Sequence, residues 1–280
     1  MKKIFLFFIC LILISCMEEN QDKFSEDTII EAYLIVGEPI KNVRITHTIP
    51  ILDTFKLENS VIIDAKVYVL SKNGDTIQLE YDNINFYYHA INQNYLIKEN
   101  EEYHLFVIVN NDTIIGKTFT PKSFKWIKRL PDIFQYPKDS ILLNDIVKLS
   151  WENPGALNYY HVTVKCLDTL NYGIYLDPPI DELNRRVTLF GNRAYAYKNT
   201  TRHGLAPSNE GSMVWTSLQW YGMQEITIYN PDYNWFRWLG QYYQGEYNQL
   251  LSSVSGNKVK GVFGSATAIR DTFFILKNIR

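Results

Sequence analysis

Cysteine is scarce in this chain. Three of its 280 residues are Cys. Two of them, Cys10 and Cys16, fall at the extreme N-terminus, so the body of the chain has no second cysteine to pair with Cys166, and small disulfide-stapled folds are excluded. Cys166 follows Val162 and Val164 and reads as a packed thiol in a buried strand. Clustered charge is also missing. The formal net charge is -2, with no block of one sign, which argues against a nucleic-acid partner. The apolar run from Ile4 to Ile14 has eleven residues, short of the ~20 that a membrane-spanning helix needs.

Recognisable catalytic patterns are absent too. The sequence holds no Gly-x-Ser-x-Gly elbow, no His-Glu-x-x-His, no phosphate-binding glycine loop and no Cys-x-x-Cys. Its five histidines, His47, His89, His104, His161 and His203, lack metal-ligand spacing, though folding can bring distant ones together. Asp177, Asp181 and Glu182 lack the alternating oxygen pattern of a calcium loop and read as a solvated acidic turn. A glycosidase needs only two carboxylates at a set separation, a pattern no sequence excludes. No cofactor is expected.

The start of the chain is more informative. Met1-Lys2-Lys3 is basic, the apolar run comes next, and Leu13-Ile14-Ser15-Cys16 ends it. Charge, length and order are those of a secretory leader. The last four residues resemble the bacterial lipobox, which implies cleavage after Ser15 and acylation of Cys16. Attached acyl chains would anchor the protein firmly, at about 0.8 kcal/mol per buried methylene. Removing residues 1–15 takes away Lys2 and Lys3 and leaves a charge of about -4. The acidic stretch Met17 to Asp22 within the tether 16–27 resembles the signal that sends lipoproteins of Bacteroidota-type bacteria to the outer face of the outer membrane. A plain solvated linker has the same composition.

The chain beyond the tether is rich in strand formers. Aromatics make up 15% of the sequence, with twenty Tyr and six Trp, and hydrophobic residues 46%. Over residues 28–121, runs at Thr28–Val36, around Val43 and Ile45, and at Ile62–Leu70, Thr76–Leu79, Phe86–Tyr88, Tyr103–Val109 and Thr113–Phe119 alternate as half-buried strands do. Asn73-Gly74 marks a hairpin. This spacing predicts an Ig-like β-sandwich.

Residues 122–280 predict a second β domain. Ile146 to Trp151, the turn Asn153-Pro154-Gly155 and Tyr159 to Val164 look like strands B and C of a fibronectin type III sandwich, with Trp151 plugging the core. From Leu167 to Ser212 periodicity fades, apart from short strands at Arg186–Phe190 and Ala194–Tyr197. A long irregular insertion is either a binding excursion or a packed cover; Arg185 and Arg186 are its candidate contacts. Strands return at Met213–Gln219 and Glu225–Tyr229. Asn230-Pro231-Asp232 then reads as a helix start, with Asn230 as N-cap and Pro231 as the first residue, opening one aromatic-rich helix near 231–247. Trp235, Trp238, Leu239 and Tyr242 form one stripe, suited to packing. Phe236, Tyr243 and Tyr247 form a second, a candidate ligand- or partner-binding flank. Lys258–Phe263, a turn at Gly264-Ser265 and Thr272–Leu276 close the chain.

Five pieces, namely Ile30-Glu31-Ala32-Tyr33, Val43 to Pro50, Asp64 to Val69, the helix between Tyr229 and Tyr243, and Gly261-Val262-Phe263-Gly264, resemble in order and spacing the domain-of-unknown-function 4249 family of Bacteroidota-type lipoproteins, over roughly residues 24 to 276. The chain departs from that pattern at Ala32, where the family commonly has Gly, and before Gly261, where paired glycines are common. The resemblance implies an outer-membrane lipoprotein acting beside TonB-dependent transporters in nutrient capture, and brings no catalytic residues. The expectation is therefore a non-enzymatic, cell-surface lipoprotein that binds a nutrient or a TonB-dependent transporter. The alternatives are a surface hydrolase of glycans or peptides and a structural or adhesive protein.

Overall fold

The computed structural model describes residues 24–135, 147–155, 157–167, 188–189, 192–193, 201–213, 218, 220–244 and 251–276. The chain is mainly β, as its alternation predicts. The N-terminal unit contains β1 (Thr28–Ile35), β2 (Arg44–His47), a single-turn helix α1 (Leu57–Ser60), β3 (Lys66–Ser71), β4 (Thr76–Asp82), β5 (Tyr87–Ala90), β6 (Glu102–Val109) and β7 (Asp112–Phe119). After it come β8 (Trp126–Lys128), β9 (Ile133–Gln135), β10 (Val147–Trp151), β11 (Tyr160–Cys166), the short pair β12 (Thr188–Leu189) and β13 (Asn192–Arg193), β14 (Thr201–Ala206), β15 (Glu210–Met213) and β16 (Gly222–Pro231). The helix α2 (Tyr233–Gln244), β17 (Val254–Ser255) and β18 (Val259–Leu276) complete the order.

β18 joins the two halves. Its first part, Val259 to Ala266, pairs in parallel with all of β1, and its second part, Ala266 to Ile275, pairs antiparallel with β16. One seven-stranded sheet results, in the order β14-β11-β16-β18-β1-β2, with β9 alongside β18. Residues 28–121 are thus completed by strands from the far end of the chain, since β17 also pairs with β7.

In the first sandwich, the β18-β1-β2 part of this sheet faces the six-stranded sheet β17-β7-β6-β3-β4-β5. Alternation on β1 sends Ile30, Ala32 and Leu34 inward to meet Val69, Leu105, Val107 and Phe263, all 0% exposed. In the second, β14-β11-β16-β18 faces the three-stranded sheet β15-β10-β8, the layout expected of a fibronectin type III-like sandwich. Trp151 on β10 fills its core, 0% exposed, edge-on to Tyr160 at 5.1 Å and to Trp126 at 6.1 Å. Cys166 is buried, with its thiol 3.9 Å from the Tyr221 carbonyl.

Three expectations are corrected. Gly264-Ser265 is not a turn, because β18 runs through it as one strand of 18 residues. Glycine is needed there because a Cβ would stand 2.9 Å from Trp235 Cβ and 3.0 Å from its backbone N, so helix α2 can lie against the strand only where no side chain intervenes. Second, the helix is capped by Asp232, not Asn230, and Pro231 ends β16. A carboxylate that accepts from the Trp235 amide at 2.9 Å satisfies the orphan donors of the first turn. Third, part of the supposedly irregular stretch is regular: β14 pairs with β11 and β15 with β10. Of the strands expected at 186–190 and 194–197, residues 186–187, 190 and 194–197 lie outside the described residues, as do 214–217 and 219.

Candidate functional site

Two concavities flank the start of helix α2. The larger has a volume of about 660 Å³ and lies between the end of β7, the 153–157 loop and the segment Asn230–Asn234. Its wall is mostly apolar, with Pro121, Pro154 and Pro231 in the lining. Two aromatic rings stand beside it: Phe119, 54% exposed, and Tyr233, 57% exposed. The Arg237 guanidinium lies 5.3 Å from the Tyr233 ring centroid.

The polar groups in this groove mainly hold it together. Asp232 Oδ1 accepts from the amides of Trp235 at 2.9 Å and Ser265 at 3.1 Å, while Oδ2 accepts from the Thr118 hydroxyl at 2.7 Å. Burial pushes its carboxyl above the usual range, against the pull of those donors. Asn234 Nδ2 donates to the Lys117 carbonyl at 2.7 Å and to the Phe263 carbonyl at 2.9 Å. Lys117 reaches away to Glu102, at 2.6 Å. The first turn of the helix thus ties β7 of one sheet to β18 of the other. Among the described residues lining the groove, Asp232 is the one carboxylate, and both of its oxygens are engaged.

The smaller cleft, of about 250 Å³, is lined by Tyr33, Tyr229, Trp235, His161 and His203, with Glu38 and Lys41 among its polar residues. Folding does bring two scattered histidines together. Pairing of β11 with β14 sets His161 against Leu205 and Thr163 against His203, so the histidines are diagonal neighbours on one face. Their rings stack at 12°, with Nε2 of His161 3.2 Å from Nδ1 of His203. Trp235, 7% exposed, stands edge-on to His161 at 6.1 Å and packs on Tyr33 at 4.7 Å and Tyr229 at 5.4 Å. Burial, and then the neighbouring His203, bring the His161 pKa down to about 4, and burial also lowers that of His203. Burial thus favours the neutral form of both rings, and their facing nitrogens lie within hydrogen-bond reach of each other. Among the described residues no three His, Cys, Asp or Glu side chains gather into a metal-ligating group.

Of the residues singled out in the sequence, Phe236 is half-buried, its ring 4.8 Å from that of Tyr159. Tyr243 belongs to α2, but its side chain lies outside the described residues, and so do Cys16, Arg185, Arg186 and Tyr247. The groove residues Phe119 and Tyr233 were not singled out. Phe119 reads as an ordinary strand residue, and only the helix-start signal at 230–232 pointed to the neighbourhood.

The sequence profile of the domain of unknown function DUF4249 matches residues 18–269. The chain belongs to this DUF4249 family. No curated protein matches it. Among solved structures, the DUF4249 chain is similar to a three-Ig segment of titin, domains I67–I69 in an E-to-A mutated variant, at 9% identity and a TM-score of 0.20. That likeness covers 90% of this chain and 66% of the titin chain. So low a TM-score carries no argument, and the two-sandwich layout rests on strand pairing. No helix among the described residues is long and apolar enough to cross a membrane.

Proposed function

We propose that this DUF4249 protein is a lipid-anchored, non-enzymatic outer-membrane protein whose junction groove holds a nutrient or a segment of a TonB-dependent transporter. The observation that carries the reading is the groove itself. At about 660 Å³ it falls within the ~300–1,000 Å³ of small-molecule sites, and it sits where such sites concentrate, between two folded units. Phe119 and Tyr233 offer flat apolar contact at low entropic cost. The engagement of both Asp232 oxygens supports binding over hydrolysis, because a glycosidase pair needs a carboxyl group free to act on substrate. The lipobox-like Leu13-Ile14-Ser15-Cys16 supports the anchor.

Anchoring is tested with Cys16→Ala, which should abolish acylation and release the chain from the membrane fraction. Binding is tested by affinity capture from detergent extracts, with the retained transporter identified by mass spectrometry. A Phe119→Ala/Tyr233→Ala double variant should lose at least tenfold in retention. Retention unchanged by that variant would rule out the groove.

A further inference from the structure

The end of the first sandwich where the N-terminal segment arrives also carries the most exposed large hydrophobic side chains among the described residues. Phe24 and Asp27 lead directly into β1, and Thr28 opposite His47 sets the last rung with β2. Beyond that rung the two chains stay together, since the Asp27 amide donates to Thr48 Oγ1 at 2.9 Å and the Thr48 amide to the Asp27 carbonyl at 2.9 Å. The next segment is held in a turn by the Asp53 amide on the Pro50 carbonyl at 3.0 Å. At its tip stand Ile51, 98% exposed, and Leu52, 94% exposed, with Phe55 at 62% beside them.

A second loop reaches the same end. β3 begins there, because Lys66 pairs with Ile108 near the tip of the β6–β7 hairpin. β4 therefore finishes there, and Asp82 opposite Tyr87 closes the β4–β5 hairpin. The Asp82 carboxylate fixes that loop by accepting from the Ile84 amide at 2.8 Å and the Asn85 amide at 3.1 Å. Ile84 at its tip is 81% exposed. The large hydrophobic residues more than 80% exposed among those described are Ile51, Leu52 and Ile84, and all three project from this one end. Water-facing aliphatic side chains held on ordered turns have no stabilising role in the fold itself.

We infer that this end of the sandwich lies on the lipid surface, with the Pro50–Asp53 turn and the Asp82–Phe86 loop dipping their apolar tips into the bilayer. The inference rests on the anchoring at Cys16 proposed above. Seven residues lie between Cys16 and Phe24, and the eight steps from one to the other span at most about 29 Å when fully extended. An acylated Cys16 therefore holds the Phe24 end close to the membrane, and the apolar tips are what that end presents. The Asp53 and Asp82 carboxylates beside the tips favour no anionic headgroup, so the driving force is apolar burial and a zwitterionic surface suffices. β18 starts at this end and runs away from it, which carries the second sandwich and the junction groove outward from the lipid.

The test uses the full acylated chain in phosphatidylcholine vesicles that carry nitroxide-labelled lipids. Leu52→Cys and Ile84→Cys are labelled with a thiol-reactive fluorophore. Leu96→Cys, beside the Glu38 end of β1, is the control. Cys166 is buried and Cys16 is capped, so each variant offers one reactive thiol. Quenching at positions 52 and 84 should exceed that at 96 at least fivefold, and Ile51→Asp should reduce it at position 84. Equal quenching at the three sites overturns the inference. Labels at 52 and 84 that stay water-exposed on vesicles but are shielded in cells also overturn it, in favour of a protein partner. Acylation is read separately from the mass of the N-terminal peptide. An uncapped Cys16 sinks the anchoring, whereas a capped chain with water-exposed tips sinks this orientation alone.

Discussion

Replacing Asp232 with alanine should loosen the helix from both sheets at once. Three donors lose their acceptor: the amides of Trp235 and Ser265 and the hydroxyl of Thr118. Loss of a helix N-cap costs about 1 kcal/mol, within a range of about 0.5–2. Ser265 is 0% exposed, so its amide meets no water, and an orphaned buried donor costs about 1–3 kcal/mol. Thr118 suffers less, because Ser265 Oγ lies 2.8 Å from its hydroxyl and can accept instead. Removing a buried carboxylate returns part of this, since its raised pKa shows that ionisation is disfavoured there. The balance is a loss of about 2–3 kcal/mol at pH 7. Asp232→Asn keeps one acceptor oxygen for the two amides and should cost under about 1 kcal/mol. Urea unfolding followed by tryptophan fluorescence reads the loss, with Trp235 and Trp238 of the helix among the six reporters. The pH dependence has a definite sign. A carboxyl raised above its ordinary 3.8 binds its proton more tightly in the folded state. Its contribution to stability is then greatest at low pH, declines as pH rises from 3.8 to the raised value, and is flat beyond. Asp232→Asn should remove that decline. Equal midpoints for the alanine and asparagine variants, or an alanine cost below about 0.5 kcal/mol, would refute the reasoning.

Three further outcomes are expected. His161, 6% exposed and with no partner for its Nδ1 among the described residues, is held to a pKa of about 4. The unfolded chain then takes up a proton near pH 6.5 that the folded chain refuses, and stability should fall by about 3 kcal/mol as pH drops from 6.5 to 4. His161→Phe should flatten that slope in urea titrations, and an unchanged slope would count against it. Gly261 has φ +145°, and a Cβ there would stand 2.0 Å from the Ile30 carbonyl oxygen. Gly261→Ala should therefore cost more than about 3 kcal/mol and split β1 from β18. Gly155→Ala, where nothing lies within 4 Å, should unfold at the wild-type midpoint.

Most of the strands could be read from the sequence because each is a local pattern. Val67 and Val69 alternate with Lys66 and Tyr68 whether or not the partner strand is known, and Asn73-Gly74 turns β3 into β4 as expected. Trp151 before a Pro-Gly turn likewise found its core. What the sequence hid is non-local. Nothing near Thr28 announces that it will pair with Val259, and nothing near Gly264 shows whether its missing side chain marks a turn or makes room for Trp235. His161 and His203 met only because β14, with its weak alternation, pairs with β11. The groove was hidden for the same reason: Phe119 and Tyr233 come from segments more than a hundred residues apart, and each looks ordinary alone.

The shared strand also has a mechanical meaning. A pull on the second sandwich against the chain's N-terminus enters β18 through its Ala266–Ile275 half and leaves through β1. Because β1 and β18 are parallel, that force runs along their ladder rather than across it. The eight paired positions from Thr28–Val259 to Ile35–Ala266 bear it together, and none can open before its neighbours as the rungs of a peeled hairpin do. Were the chain anchored at Cys16 and bound through its groove, as proposed, its two sandwiches would be loaded in shear along this ladder.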